Sequence, residues 1–171
     1  MKRTLVVLAV LGAMASPVWA QEASAEAVLR YDASGTAINL GNPLAGSWSS
    51  LATFQGSGPL GRFSARSLLA YQQIDPMLGQ LVCGGGQIGI RFESTGEMLL
   101  LNVNPGPVGT TWPVSSVAFR SEQSLAGAVV GGTGRFAGAT GSFASSLRGF
   151  GAQPGFVQIA EGTLEITLDR K

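Results

Sequence analysis

A chain of 171 residues with 11 basic and 10 acidic side chains, 25 glycines and no histidine has a narrow range of chemistry open to it. Its near-neutral balance, with no run of like charge, excludes the concentrated basic face that neutralises phosphates, so neither nucleic acid nor an electrostatically held membrane is an expected partner. Without histidine, Ser-His-Asp and Cys-His nucleophiles and the common zinc sites are excluded as well, which leaves carboxylates, Tyr, Arg and backbone groups for any catalysis.

Residues 1–20 read as a secretory signal. Lys2 and Arg3 supply a positive start, Leu5–Ala15 is an apolar run broken only by Gly12, and Pro17 ends the helix. Val18-Trp19-Ala20 places small residues at the two positions a signal peptidase reads, so cleavage is expected after Ala20. The run is short of the ~20 residues that span a bilayer, and Gln21, not a cysteine, follows the cleavage point. The expectation is an exported protein, periplasmic or extracellular, with no membrane span. The remainder has the length of one ordinary domain.

Residues 21–45 are expected to form an N-terminal extension or hairpin, and 46–171 a β-barrel domain. Short runs of β-branched and aromatic residues, cut by Gly, Pro, Asn and Asp, predict an all-β fold with tight turns. Tyr31-Asp32-Ala33-Ser34-Gly35-Thr36 and Phe92-Glu93-Ser94-Thr95-Gly96-Glu97 each fit a type I turn followed by a left-handed glycine. Asp75-Pro76-Met77-Leu78-Gly79 is a third turn, and Asn104-Pro105-Gly106-Pro107 a fourth that does not fit inside a central strand. Strands are expected near 27–32, 36–40, 46–55, 62–74, 80–92, 97–103, 111–122, 124–130, 140–149 and 156–169. An antiparallel β-barrel of about eight strands accommodates them, with a β-sandwich as the alternative.

Period-2 alternation supports several of these strands. Ile88, Ile90 and Phe92 oppose Gly89 and Arg91; Val117 and Phe119 oppose Ser116, Ala118 and Arg120; Leu164, Ile166 and Leu168 oppose Thr163, Glu165 and Thr167. Val157 and Ile159, however, are odd-numbered, so the apolar face changes parity before Leu164. A β-bulge near Glu161-Gly162 would return both halves to one core. Cys83 is the only cysteine, which excludes an intrachain disulfide and leaves a buried inert thiol, an intermolecular bridge or a reactive thiol; its place in Leu81-Val82-Cys83 favours the first.

Gly131-Gly132-Thr133-Gly134-Arg135-Phe136-Ala137-Gly138-Ala139-Thr140-Gly141-Ser142-Phe143 is the most distinctive stretch. Following Ala128-Val129-Val130, it imitates a strand entering a dinucleotide-binding loop. That chemistry requires a helix N-terminus on the pyrophosphate and an acidic residue about 20 positions on. The sequel, Ala139–Ser146, is rich in Gly and Ser and has no helical pattern. The stretch is better read as a tight barrel turn: Gly131, Gly132 and Gly134 for φ > 0 and close backbone approach, Phe136 as a plug in the barrel end, Gly138 and Gly141 to bend the next strand.

The run over 131–141 closely resembles a signature of the allene oxide cyclase and dirigent-protein superfamily, and above all its small exported bacterial members. The resemblance covers roughly residues 45–170, with its specificity concentrated in 131–143. It implies an eight-stranded antiparallel barrel assembled as a dimer or trimer. It carries no active residue across, because the acidic and polar side chains those plant proteins use lie outside the shared glycine motif.

Other candidate groups have simple structural readings. Glu93 and Glu97 flank a turn, Glu161 and Glu165 lie by the expected bulge and on a polar strand face, and Arg91 and Arg120 oppose apolar faces. Trp48, Trp112 and Tyr71 are candidates to line a pocket, or to pack as large aromatics do in barrels. No calcium loop, phosphate loop or nucleophile elbow appears. No catalytic residue, metal or cofactor is therefore assigned. The favoured function is a non-catalytic exported barrel that binds a small apolar molecule or a partner protein. A dirigent- or cyclase-like protein orienting a reactive substrate is one alternative, and a structural envelope protein without a pocket is another.

Overall fold

A computed structural model describes residues 27–41, 46–75, 79–152 and 157–169. The expected signal segment, 1–20, lies outside the described residues. Among the described residues nine strands follow one another: β1 (Ala27–Leu40), β2 (Ser47–Gly58), β3 (Gly61–Asp75), β4 (Gln80–Phe92), β5 (Met98–Val103), β6 (Gly106–Ser115), β7 (Ala118–Gly132), β8 (Gly141–Ala152) and β9 (Val157–Leu168). A single 3-10 turn, Gly134–Phe136, separates β7 from β8.

β1 pairs with β2 and β9, β2 with β3, β3 with β4, β7 with β8, and β8 with β9, all antiparallel. The ring closes through β5 and β6, which lie end to end in the one gap between β4 and β7. Val103 of β5 stands opposite Gly86 of β4 and Gly127 of β7, while Gly109 of β6 stands opposite Leu81 and Gln123. The fold is thus a closed antiparallel barrel of eight staves, one of them made of two strands. Closure rules out the sandwich alternative and removes the exposed sheet edges a sandwich would have to protect.

One end of the barrel interior is packed with large apolar groups. Phe63, Phe92, Ile90, Leu99, Leu101, Phe136, Phe143 and Ile166 are all at most 3% exposed. Tyr31, Phe63, Phe92 and Phe136 form an aromatic cluster, with centroids 5.1 Å apart for Tyr31 and Phe63 and 5.2 Å apart for Phe92 and Phe136. From mid-barrel to the opposite end the interior changes character. There the buried side chains include Asn39, Ser50, Ser67, Thr111, Ser121 and Gln158. Outside, the mid-barrel is charged, and Arg30 pairs with Glu165 at 2.8 Å and Arg148 with Glu122 at 3.7 Å.

The Phe92–Glu97 turn forms as expected: Gly96 has φ +72°, its N–H donates to the Phe92 carbonyl at 2.8 Å, and the Phe92 N–H donates to Glu97 O at 2.9 Å. Four other expectations are corrected. Tyr31–Thr36 is not a turn but continuous strand in β1, paired throughout to β9 and from Asp32 on to β2, so Ala27–Leu40 is a stave of the barrel. Asn104–Pro107 does not reverse the chain. It is the joint between β5 and β6, and Asn104 N–H still donates to Ala126 O at 2.9 Å. No bulge occurs at Glu161-Gly162, since β9 keeps one register with β1 and with β8 from Val157 to Leu168. The parity change is resolved otherwise: Val157 and Ile159 face water, 45% and 66% exposed, and Gln158 and Ala160 face the interior. The expected strand 111–122 likewise contains the β6–β7 reversal, which leaves Val117 exposed while Phe119 is buried.

Candidate functional site: a polar half-barrel cavity

The glycine-rich run closes the dry end. β7 passes through Gly131 (φ +143°) and Gly132, and the 3-10 turn follows, with Gly134 at φ +59°. Phe136 is 3% exposed, stacks on Phe92 and carries the Arg135 guanidinium 5.1 Å over its ring. Gly138 (φ +66°) and Gly141 (φ +148°) lead into β8. Gly132 is needed for close approach: a Cβ there would press on the Met98 carbonyl and lie 2.7 Å from Phe136 Cβ.

Glu97 pins this turn to the start of β5. Its carboxylate accepts the Arg135 backbone N–H at 2.8 Å and pairs with Arg135 Nε at 2.7 Å. The backbone hydrogen bond from Arg135, helped by Thr95 and the Arg135 charge, holds the Glu97 carboxyl below the usual carboxylate range. Thr133 Oγ1 accepts from Met98 N–H at 2.9 Å on the same seam. The run therefore fastens β5, β7 and β8 at the dry end.

The cavity begins against Phe63 of the aromatic cluster and runs from there into the polar part of the barrel. It measures about 80 Å³ and is lined by residues of every stave. At ~10–15 Å³ of such space per water it has room for several waters or one small ring-sized molecule. An eight-stranded barrel normally fills its own interior with side chains. Here, between larger groups such as Phe54, Leu69 and Leu125, several inward positions are small: Ala33 and Ala37 on β1, Ser50 and Ala52 on β2, Ala65 and Ser67 on β3, and Ala160 on β9. That is why space remains.

Two hydrogen-bonded pairs furnish it. Tyr71 on β3 reaches across the lumen and donates to Gln123 Oε1 on β7 at 2.9 Å. Trp48, its cross-strand neighbour, stacks on it at 5.5 Å with 15° between the rings. Gln158 on β9 donates through Nε2 to Ser121 Oγ on β7 at 2.6 Å. This second pair spans β8, and it can form because residue 149 is glycine. A Cβ on Gly149 would collide with Gln158 Nε2 and come within 2.8 Å of Ser121 Oγ. Ser145, also in the lining, has a buried hydroxyl with no hydrogen-bond partner among the described residues.

No family model matches this chain, and no curated protein or solved structure does either.

The chemistry of the cavity follows from its own residues. Among the described lining residues none is Asp, Glu, Lys or Arg. Burial pushes the Tyr71 phenol far above its ordinary value, so at neutral pH it is a fixed hydrogen-bond donor. Cys83 stands opposite Tyr71, is fully buried, and its thiol is pushed up by burial. The described lining thus offers apolar surface and uncharged hydrogen-bonding groups.

Of the aromatics considered from sequence, Trp48 and Tyr71 line the cavity and Trp112 faces outward, 37% exposed. The carboxylate pairs do not converge. Glu97 binds Arg135, Glu93 lies 3.6 Å from Arg62, Glu165 binds Arg30 and Glu161 is exposed. Arg91 and Arg120 are exposed on the outer surface. Sequence reasoning missed Gln123, Gln158, Ser121 and Gly149. A signal was present: the even-numbered polar and small residues of 157–162 interrupt the apolar face of β9.

Proposed function

We propose that this protein is an exported, non-catalytic barrel of the allene oxide cyclase and dirigent-like kind that holds one small, mostly apolar molecule. The observation that carries this reading is the contrast within one lumen. One end is packed solid by large aromatic and aliphatic groups, while beyond Phe63 the lumen keeps an uncharged cavity of about 80 Å³ whose walls combine Trp48, Tyr71, Phe54, Leu69 and Leu125 with small residues. A purely structural barrel would have no reason to leave that half unfilled. A cyclase-like reaction would call for an acid–base side chain in the lining, and none of the described lining residues is a carboxylate or an amine. The cavity is smaller than the ~300 Å³ and more that drug-sized ligands occupy, so a ring-sized molecule is the expected occupant. The basic, apolar and small-residue pattern of 1–20 supports export. Native mass spectrometry of protein purified from its natural source tests the reading. Wild type should carry a small adduct that Ala160→Leu, which fills the cavity, loses. Wild type with no adduct, and with no neutral small molecule able to raise its Tm, would defeat it.

The same reading pairs the barrel with a second copy of itself. Leu68, Leu51, Ile38 and Val157 are direct cross-strand neighbours on the outer faces of β3, β2, β1 and β9, and Ile159 and Phe150 extend the row to β8. With Leu40 these side chains are 45–66% exposed, leaving roughly 700 Å² of them in water, above the ~300–600 Å² of a monomer's largest patch and close to the ~800 Å² each partner gives to a standard interface. Beside the row, a shallow groove of about 620 Å³ carries Asp32, Glu161 and Arg148, charges of both signs that suit a two-fold, self-complementary contact. Ile38→Glu with Ile159→Glu should convert a dimer to a monomer in light scattering with little change in circular dichroism. A monomeric wild type at micromolar concentration would count against the pairing.

A further inference from the structure

Resting on the cavity reading above, the polar side chains go further and name the class of molecule the site selects. We propose that the cavity takes an uncharged ligand bearing a hydroxyl or carbonyl oxygen, recognised by the side-chain amides of Gln123 and Gln158, and discriminates against both bare hydrocarbons and ions.

The direction of each hydrogen bond sets what is left to offer. Tyr71 stays protonated and must donate, so Gln123 presents its Oε1 to Tyr71. The Gln123 amide nitrogen then carries its N–H donors elsewhere. Gln158 spends an Nε2 donor on Ser121, which leaves Oε1 as an acceptor, and Ser121 keeps its own hydroxyl proton. Ser145 adds an unpartnered hydroxyl in the same lining. Gln123, Ser121, Ser145 and Gln158 all line the one cavity, so the first three have donors and Gln158 an acceptor left to offer an occupant. Buried polar groups without partners are costly, so an occupant that supplies an oxygen is preferred to one of the same shape that does not. A carboxylate or ammonium would shed its hydration against a lining with no counter-charge among the described residues, which disfavours ions more strongly. The stacked Trp48–Tyr71 wall and the small mid-barrel residues accept a flat or ring-shaped apolar body.

Binding of three probes with one ring tests this: benzyl alcohol, toluene and benzoate, each titrated by NMR into the full folded chain. Benzyl alcohol should bind about tenfold or more tighter than toluene, the worth of one or two net hydrogen bonds, and benzoate should bind least. Gln158→Leu should remove the preference for benzyl alcohol while toluene still binds. Gln158→Met, closer in shape, is the companion variant if leucine impairs folding. Equal binding of toluene and benzyl alcohol, an unchanged preference in both Gln158 variants, or tightest binding of benzoate would overturn the ligand class and leave the cavity reading standing. Failure of all three probes to bind wild type would overturn the cavity reading and this inference with it.

Discussion

Gly134→Val is expected to lose roughly 3 kcal/mol or more of stability, which for a domain of this length lowers Tm by about 10 °C. Two causes add. Gly134 has φ +59°, a left-handed conformation that a β-branched residue adopts only under strain. In addition, its Cβ would collide with Glu97 Oε1 and lie 2.8 Å from Glu97 Cγ. Relieving that collision displaces the carboxylate that accepts Arg135 N–H and pairs with its guanidinium. The Glu97→Ala background separates the causes: Gly134→Val should cost less there, because only the backbone strain remains. Acid provides an independent check. The Glu97 carboxyl is held below its ordinary value in the folded protein, so its contribution is fully present above the ordinary carboxylate range and is lost as pH falls through the depressed folded value. The Tm gap between wild type and Glu97→Gln should therefore be open at neutral pH and narrow progressively as pH falls below the ordinary glutamate range. A Gly134→Val protein that melts with wild type would refute this account of the turn.

The strands were legible where the barrel obeys the simple rule of apolar inside and polar outside. Ile88, Ile90 and Phe92 obey it, and so do Leu164 and Ile166. The rule fails at the other end of β9, where Gln158 and Ala160 face in and Val157 and Ile159 face out. A reader of alternation restores the rule by inventing a bulge. The chain instead inverts its polarity locally: polar and small groups line the lumen there, and apolar side chains stand on the outer face. Local pattern and tertiary role part company where function is expected to reside. Gly35 misled for a related reason. It looks like a turn glycine, yet it is an inward strand residue lying against Phe54. Asn104-Pro105 broke a stave without reversing it, since β6 resumes on the same partners that β5 leaves. Nothing in residue type alone separates a joint from a turn. The two glutamines were invisible as a site because their strands, β7 and β9, are brought within reach only across Gly149 of β8.

Phe92→Ala is the second large effect expected, about 3–5 kcal/mol and a fall in Tm of about 10–15 °C. Phe92 is fully buried at the centre of the aromatic cluster, 5.2 Å from Phe136, 6.2 Å from Tyr31 and 6.5 Å from Phe63. Truncation removes its own burial, the stack beneath the Phe136 plug and the ring 6.0 Å under the Arg135 guanidinium. The barrel walls are hydrogen-bonded all round, so they cannot collapse far into the void, and the cost stays near the upper part of that range. Phe92→Leu should recover most of the loss, because volume and not the ring quadrupole supplies the larger share. Phe92 does not line the cavity, whose walls run through Trp48, Tyr71, Gln123 and Gln158. The affinity of folded Phe92→Ala protein for benzyl alcohol, measured well below its lowered Tm, should therefore fall far less than its stability does, because Phe63, 6.5 Å from Phe92, is the cluster ring that also lines the cavity and couples the two through one side chain. A loss of affinity in step with stability would mean that the two ends of the lumen are one cooperative unit. Unchanged affinity would mean that one end of this barrel holds the fold and the other is free to hold a ligand.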